Sequence, residues 1–140
     1  MDDVDRQIVA LLRQDARAPL KTIAGKIGLA HSSIRARIAR LEAEQLITGY
    51  RAEIALEKVG GVAAVVCLEL ASTPMPQVVA AVVADPAVDR CYSLAGEIDL
   101  LVEISHMNSA GLNNARDRLS VLPGVVRART FLILKRDKAG

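Results

Sequence analysis

The chain has 140 residues, 18 Lys/Arg against 16 Asp/Glu for a formal net charge of +2, and 51% hydrophobic residues. That length holds one ordinary domain or two small ones. The near balance of charge excludes a wholly basic protein, and no apolar run reaches the roughly eighteen residues that a membrane-spanning helix requires.

The charge is uneven along the chain. Residues 1–60 carry ten Lys/Arg against eight Asp/Glu, whereas residues 61–140 carry eight of each, which suits a first module that meets a polyanion at one surface. Tyr50, Tyr92 and Phe131 are the only aromatics. That is too few stacking platforms for a single-strand or RNA binder, so duplex DNA is favoured. A high apolar content in so short a chain points to a subunit interface, hence a homo-oligomer. The chain opens Met1-Asp2-Asp3, so no secretory leader is expected, and a cytoplasmic location follows.

Val4, Ile8, Leu11 and Leu12 recur with helical period and predict a first amphipathic helix from about Asp2 to Gln14. Asp2, Asp3 and Asp5 sit at its positive dipole end. After Arg17-Ala18-Pro19, the residues Leu20, Ile23, Ala24 and Ile27 predict a short second helix. Gly28 is suited to end it in a left-handed conformation, with Leu29 as the buried residue of a tight turn.

The segment His31 to Leu41 reads as a third helix. Ile34, Ile38 and Leu41 fall at i, i+4 and i+7 and form one apolar stripe. At about 100° per residue, Ser32, Ala36 and Ala39 lie near the centre of the outward face, Ser33 and Arg40 beside them, and Arg35 and Arg37 on the two flanks. Short side chains let the helix approach a groove, and guanidinium groups at the edges reach phosphates or guanines. A solvated amphipathic helix would carry the same arginines. The preceding short helix and Gly28 turn complete a helix-turn-helix pattern, and that favours DNA. His31, at the helix start, is expected to contact a base or a phosphate.

Leu46 to Ile54 alternates around Gly49 and suggests a short hairpin or wing, with Gly60-Gly61 as a hinge. From Val62 the pattern becomes extended. Val62 to Leu70 predicts a strand, and Pro76 opens a helix carrying Val78, Val79, Val82 and Val83. Val88 to Leu94 and Ile98 to Ile104 predict a hairpin through Ala95-Gly96-Glu97. Asn108 or Ser109 caps a helix with Leu112, Ala115, Leu119 and Leu122 on one face, and Val125 to Lys135 is a final strand. The order β-α-β-β-α-β is ferredoxin-like. The fold class is therefore α+β, a winged helix-turn-helix at 1–50, a wing or linker at 51–61, and a ferredoxin-like module at 62–140. The sheet face away from the helices holds too many apolar residues to be wet and is expected to pair with a second copy. Cys67 and Cys91 read as reduced core residues. His31 and His106 lie far apart with no clustered carboxylates, so neither a metal nor a catalytic site is expected.

With these residues laid out, the chain resembles the Lrp/AsnC family, the leucine-responsive or feast/famine transcription regulators. The resemblance rests on Asp5-Arg-Gln-Ile8, Leu20-Lys-Thr-Ile-Ala24, Gly28-Leu29, Ile34-Arg-Ala-Arg-Ile-Ala-Arg-Leu-Glu42, Ile47-Thr-Gly-Tyr50, Gly96-Glu-Ile-Asp99 and Pro123-Gly-Val125, in this order. It implies DNA contacts from His31, Ser32, Ser33, Arg35, Arg37 and Arg40. It also implies dimers and higher assemblies such as octamers through the C-terminal modules, and an amino-acid effector near Gly96, Glu97 and Asp99. On this reading Asp99 meets the effector's ammonium. A hairpin turn alone would also explain Gly96. No cofactor is implied. Three departures stand out: Ala30 where a capping Ser is usual, Gln45 where Gly is usual, and Ile98 in place of an aromatic. Two further readings stay open. One is an architectural DNA-bridging protein with little sequence preference; the other is a tetrapyrrole decarboxylase of the same layout, for which only Arg127, Arg129 and His106 are candidates.

Overall fold

Asp2 begins the first element with a reciprocal cap. Its carboxylate accepts from the Asp5 amide at 2.8 Å, and the Asp5 carboxylate accepts from the Asp2 amide at 3.0 Å, which satisfies two donors that a helix start leaves open. In this computed structural model, which describes residues 1–137, the cap opens helix α1 (Asp3–Gln14). Helices α2 (Leu20–Ile27) and α3 (His31–Ala43) follow. Ile8, Ile23, Ala24, Ile34 and Leu41 form their buried core, with Val4, Leu11, Leu12, Ile27 and Ile38 packed against it. Gly28 ends α2 with φ +80°, as its position predicts. Leu29 is exposed rather than buried, because its amide closes the turn onto the Ala24 carbonyl at 3.2 Å and its side chain is not needed for that.

The expected wing does not form: residues 44–55 contain no strand. Both the Leu46 and Ile47 amides bond to the Leu41 carbonyl, at 2.9 and 3.0 Å, and the Gln45 amide bonds to Glu42 at 3.0 Å. These bonds close the end of α3 and take up amides that a hairpin would pair. Gln45 holds the left-handed position of this motif at φ +57°. The Gly60-Gly61 pair lies within the second of two compact units. The chain divides into one unit of residues Met1–Glu53 and another beginning at Ile54. Gly60 caps a 3-10 turn (Leu56–Val59) inside the second unit, with the Gly61 amide bonded to Leu56 at 2.8 Å.

The second unit contains β1 (Val62–Leu70), α4 (Pro76–Ala84), β2 (Val88–Ser93), β3 (Leu100–His106), α5 (Ser109–Ser120) and β4 (Val125–Leu132). Residues 138–140 of the expected module lie outside the described residues. The four strands form one antiparallel sheet in the order β2-β3-β1-β4. Alternate residues Ala64, Val66, Leu68, Leu100, Val102 and Ile104 meet Val78 and Val82 of α4 and Leu112, Ala115 and Leu119 of α5 in one core. Burial of each large side chain contributes about 2 kcal/mol. Asn108 caps α5 by accepting from the Gly111 amide at 2.8 Å, and Arg118 grips Asp85, just past α4, at 2.7 and 2.9 Å.

The register sets the composition of the opposite sheet face. Val65 pairs with Phe131 and Glu103, Cys67 with Arg129 and Leu101, Glu69 with Arg127, and Tyr92 with Leu101. The face is therefore mixed rather than uniformly apolar. Phe131 and Tyr92 are exposed on it, and Glu69 lies 3.4 Å from Arg129 and 3.7 Å from Arg127.

Candidate nucleic-acid interface

Helix α3 buries Ile34 and Leu41 completely and half-buries Ile38, so the opposite face is fixed outward. His31, Ser32, Ser33, Arg35, Ala36 and Ala39 are all exposed. The helix starts at Ala30 without a side-chain cap, as the sequence indicates.

The three arginines separate into two groups. Arg35 makes no hydrogen bond or ion pair among the described residues. Arg37 Nη1 donates to Asp2 Oδ2 at 2.7 Å and to Asp5 Oδ1 at 2.8 Å, and Arg40 Nη2 donates to Asp5 Oδ2 at 2.5 Å. Asp5 is fully buried, the one charged residue among the described residues that is. A buried carboxylate is tolerated only when paired and hydrogen-bonded, and here two guanidinium groups and the Asp2 amide meet that need. Hydrogen bonding to the Asp5 amide, then to Arg37, lowers the Asp2 carboxyl to about 2. Asp5 is lowered as well, first by its bond to the Asp2 backbone and then, against the opposing effect of burial, by Arg37.

The helical projection places Arg37 and Arg40 on or beside the outward face, and the structure turns both toward the start of α1. Asp2 and Asp5 read in the sequence as dipole-favoured acids, and nothing local shows that their partners stand more than thirty positions away. Their spacing, which allows a reciprocal cap, is the one available signal.

In the second unit, Gly96 takes φ +131° in the loop between β2 and β3, and Gly96 and Glu97 are exposed. Asp99 stands apart from them. Its Oδ2 accepts from the Leu70 amide at 2.7 Å, its amide donates to Leu68 at 3.0 Å, and its carbonyl accepts from Leu94 at 2.9 Å. Asp99 thus locks the loop to the end of β1 and lines an open hollow of about 620 Å³. Leu70, Thr73, Pro74, Met75, Pro76, Val79, Ala80, Ser93, Leu94 and Leu100 complete the lining. Gly96 and Glu97 do not line it. In the sequence, the segment from Thr73 to Pro76 reads only as a helix entry, because proline spacing reports on the backbone and not on what the neighbouring strand brings near. Asp99 is the hollow's sole charged group, so the cavity suits a largely apolar molecule with one cationic or hydrogen-donating end.

The tetrapyrrole candidates do not converge. Arg127 and Arg129 lie on the open sheet face beside Glu69, while His106 lies against Gly111 of α5 on the helix side. Among the described residues no three His, Cys, Asp or Glu groups are placed to hold a metal ion, and no helix is long and apolar enough to cross a membrane.

Residues 1–42 match the AsnC-type helix-turn-helix domain, and residues 63–140 match the Lrp/AsnC ligand binding domain. The transcriptional regulator FL11 of Pyrococcus furiosus is 31% identical over 139 residues, covering 99% of this chain and 92% of the relative. A proline dehydrogenase transcriptional activator of Rhodobacter capsulatus is 33% identical over 140 residues, covering 96% and 91%. The crystal structure of the leucine response regulatory protein LrpA of Mycobacterium tuberculosis superposes with a TM-score of 0.83 at 30% identity, covering 99% of this chain and 96% of that one.

Proposed function

The chain belongs to the Lrp/AsnC family of DNA-binding transcriptional regulators, and from that premise we propose that it reads specific duplex sequences with α3 as a homo-oligomer under the control of an amino-acid effector. The observation that carries the reading is the outward face of α3, where short side chains flank the one arginine of the helix that has no carboxylate partner among the described residues. His31, Ser32, Ser33 and Arg35 are the residues we assign to DNA. A guanidinium over a guanine edge supplies about 1–3 kcal/mol of discrimination.

Copies pair through the open sheet face, where Phe131 and Tyr92 gain cover and the charged residues around them set the register. Larger assemblies such as octamers are built from that dimer. Pairing supplies two copies of α3 per dimer, which matches a palindromic site. The effector lies in the hollow at Asp99, its ammonium against the carboxylate and its side chain against Leu70, Met75, Val79 and Leu100. The protein acts in the cytoplasm, and we assign it no catalytic step.

Selection of bound duplexes from a random pool, with and without each amino acid, tests this directly. The reading requires a recurrent two-fold motif whose affinity changes with at least one amino acid. Arg35→Ala should weaken binding to that motif about tenfold or more while the particle size in solution stays the same. A pool that gains no motif would refute sequence-specific recognition and leave a bridging role.

A further inference from the structure

The two carboxylates at the start of α1 and the two arginines of α3 form a single polar cluster with defined geometry. Asp5 is fully buried, and each of its oxygens is used: Oδ1 by Arg37 at 2.8 Å, Oδ2 by Arg40 at 2.5 Å and by the Asp2 amide at 3.0 Å. Asp2 closes the cluster from outside by holding Arg37 at 2.7 Å. Arg37 and Arg40 are three residues apart and share one flank of α3. Arg35 is about 160° around the axis from Arg37 and stands on the other flank.

We propose that Asp5, with Asp2, is a positioning residue for DNA recognition. It fixes the rotation of α3 about its own axis through Arg37 and Arg40, so these two arginines orient the helix and do not contact DNA. This rests on the reading of α3 as the DNA-reading helix. The apolar stripe of Ile34, Ile38 and Leu41 sets which face of α3 turns inward, and charge-assisted hydrogen bonds, being directional, define the angle further. Moving either guanidinium to a phosphate would take from the buried Asp5 carboxylate one of its two charged partners, which is unfavourable. Phosphate contact and base contact therefore fall to the other flank and to the helix start.

The test uses the full chain, the duplex motif selected by the wild-type protein, and a scrambled duplex of equal length. Affinity is measured across a series of salt concentrations for Arg35→Gln, Arg37→Gln, Arg40→Gln and Asp5→Asn. Arg37→Gln and Arg40→Gln should leave the slope of log affinity against log salt unchanged, since removing a side chain that neutralises one phosphate would reduce it by about one. Both should weaken motif binding about fivefold or more, with the scrambled duplex bound within about twofold of wild type. Asp5→Asn is the sharpest arm. Removing a negative charge beside the interface strengthens binding if charge alone matters, whereas loss of helix orientation weakens motif binding and leaves the scrambled duplex little changed.

Should Asp5→Asn fail to fold, Asp2→Asn keeps the helix cap and removes only the outer hold on Arg37, and a smaller loss of motif binding is expected. A slope reduced by one in either arginine variant, or tighter motif binding in either aspartate variant, overturns the proposal. Absence of any selected motif overturns the DNA reading itself, and the positioning role falls with it. A selected motif with reduced slopes overturns the positioning role alone.

Discussion

In the first unit, an apolar core of five buried residues holds three helices, whereas in the second, a core of twelve holds two helices against a sheet, counted among the described residues. The helices of the second unit lie on a continuous apolar surface made by alternate residues of β1 and β3. Those of the first unit have no such surface, and α3 is held by the Asp2, Asp5, Arg37 and Arg40 cluster as well as by Ile34 and Leu41. A large core fixes helices by shape. A small one leaves orientation to directional polar contacts, which also makes it sensitive to solution conditions.

The largest expected break in this comparison is Ile34→Ala. Loss of a fully buried side chain from so small a core should cost about 3 kcal/mol, so hydrogen exchange should rise across residues 3–43 with little change in the second unit. Equal loss of protection in both units would contradict their separation. Gly124→Val in the second unit comes next. Gly124 has φ +101°, and an added Cβ would approach Met75 Cε at 2.5 Å and Val78 Cγ2 at 3.0 Å. Backbone strain and crowding together predict a loss of about 2 kcal/mol, read as a lower melting temperature with α4 and β4 the first to exchange.

The ends of α3 offer gains instead. Gln45→Gly relieves a left-handed backbone at φ +57°, and Ala30→Ser supplies the cap that α3 lacks. Each should add about 1 kcal/mol to the first unit by denaturant unfolding. A decrease in both would mean that the Gln45 bond to Glu42 and the present entry to α3 already supply what these changes offer.

The smallest effect at neutral pH, and the one that best separates the units by solution conditions, is acid sensitivity. Asp2 falls from 3.8 to about 2 in the folded state. Its contribution is therefore fully present above the unfolded value and is lost as pH drops from about 4 through about 2. Asp5 shifts in the same direction. The second unit has its own depressed group, Asp85, held down first by Arg118. Circular dichroism and exchange measured from pH 5 downward should show Asp2→Asn flattening the acid loss of the first unit alone. An unchanged acid profile in that variant would remove the cluster from the account.

Much of the chain is legible without coordinates because its signals are local. The 3.6-residue period of Ile34, Ile38 and Leu41, the glycine at the end of α2, Asn108 as the cap of α5 and the alternation in β1 and β3 each depend on a few neighbours along the chain. Ala30 and Gln45 stand out only against the pattern of the Lrp/AsnC family. The wing is the exception, because alternation around Gly49 imitates a hairpin, while the competing bonds from Leu46 and Ile47 to Leu41 depend on how α3 ends. Asp99 draws notice in the sequence, but its bond to Leu70 and the hollow beside it require β1 and β3 to be adjacent.

The arginines of α3 mark the boundary most clearly. Their number, their spacing and the direction of the helix's apolar face follow from the sequence, because helical geometry converts position into angle. Which of them are available to a partner was decided only by the tertiary structure. Arg37 and Arg40 meet carboxylates 32 to 35 residues away, and a long flexible side chain takes its direction from charges that folding brings near it. Arg35 lies on the same helix and differs from them only in the flank it occupies.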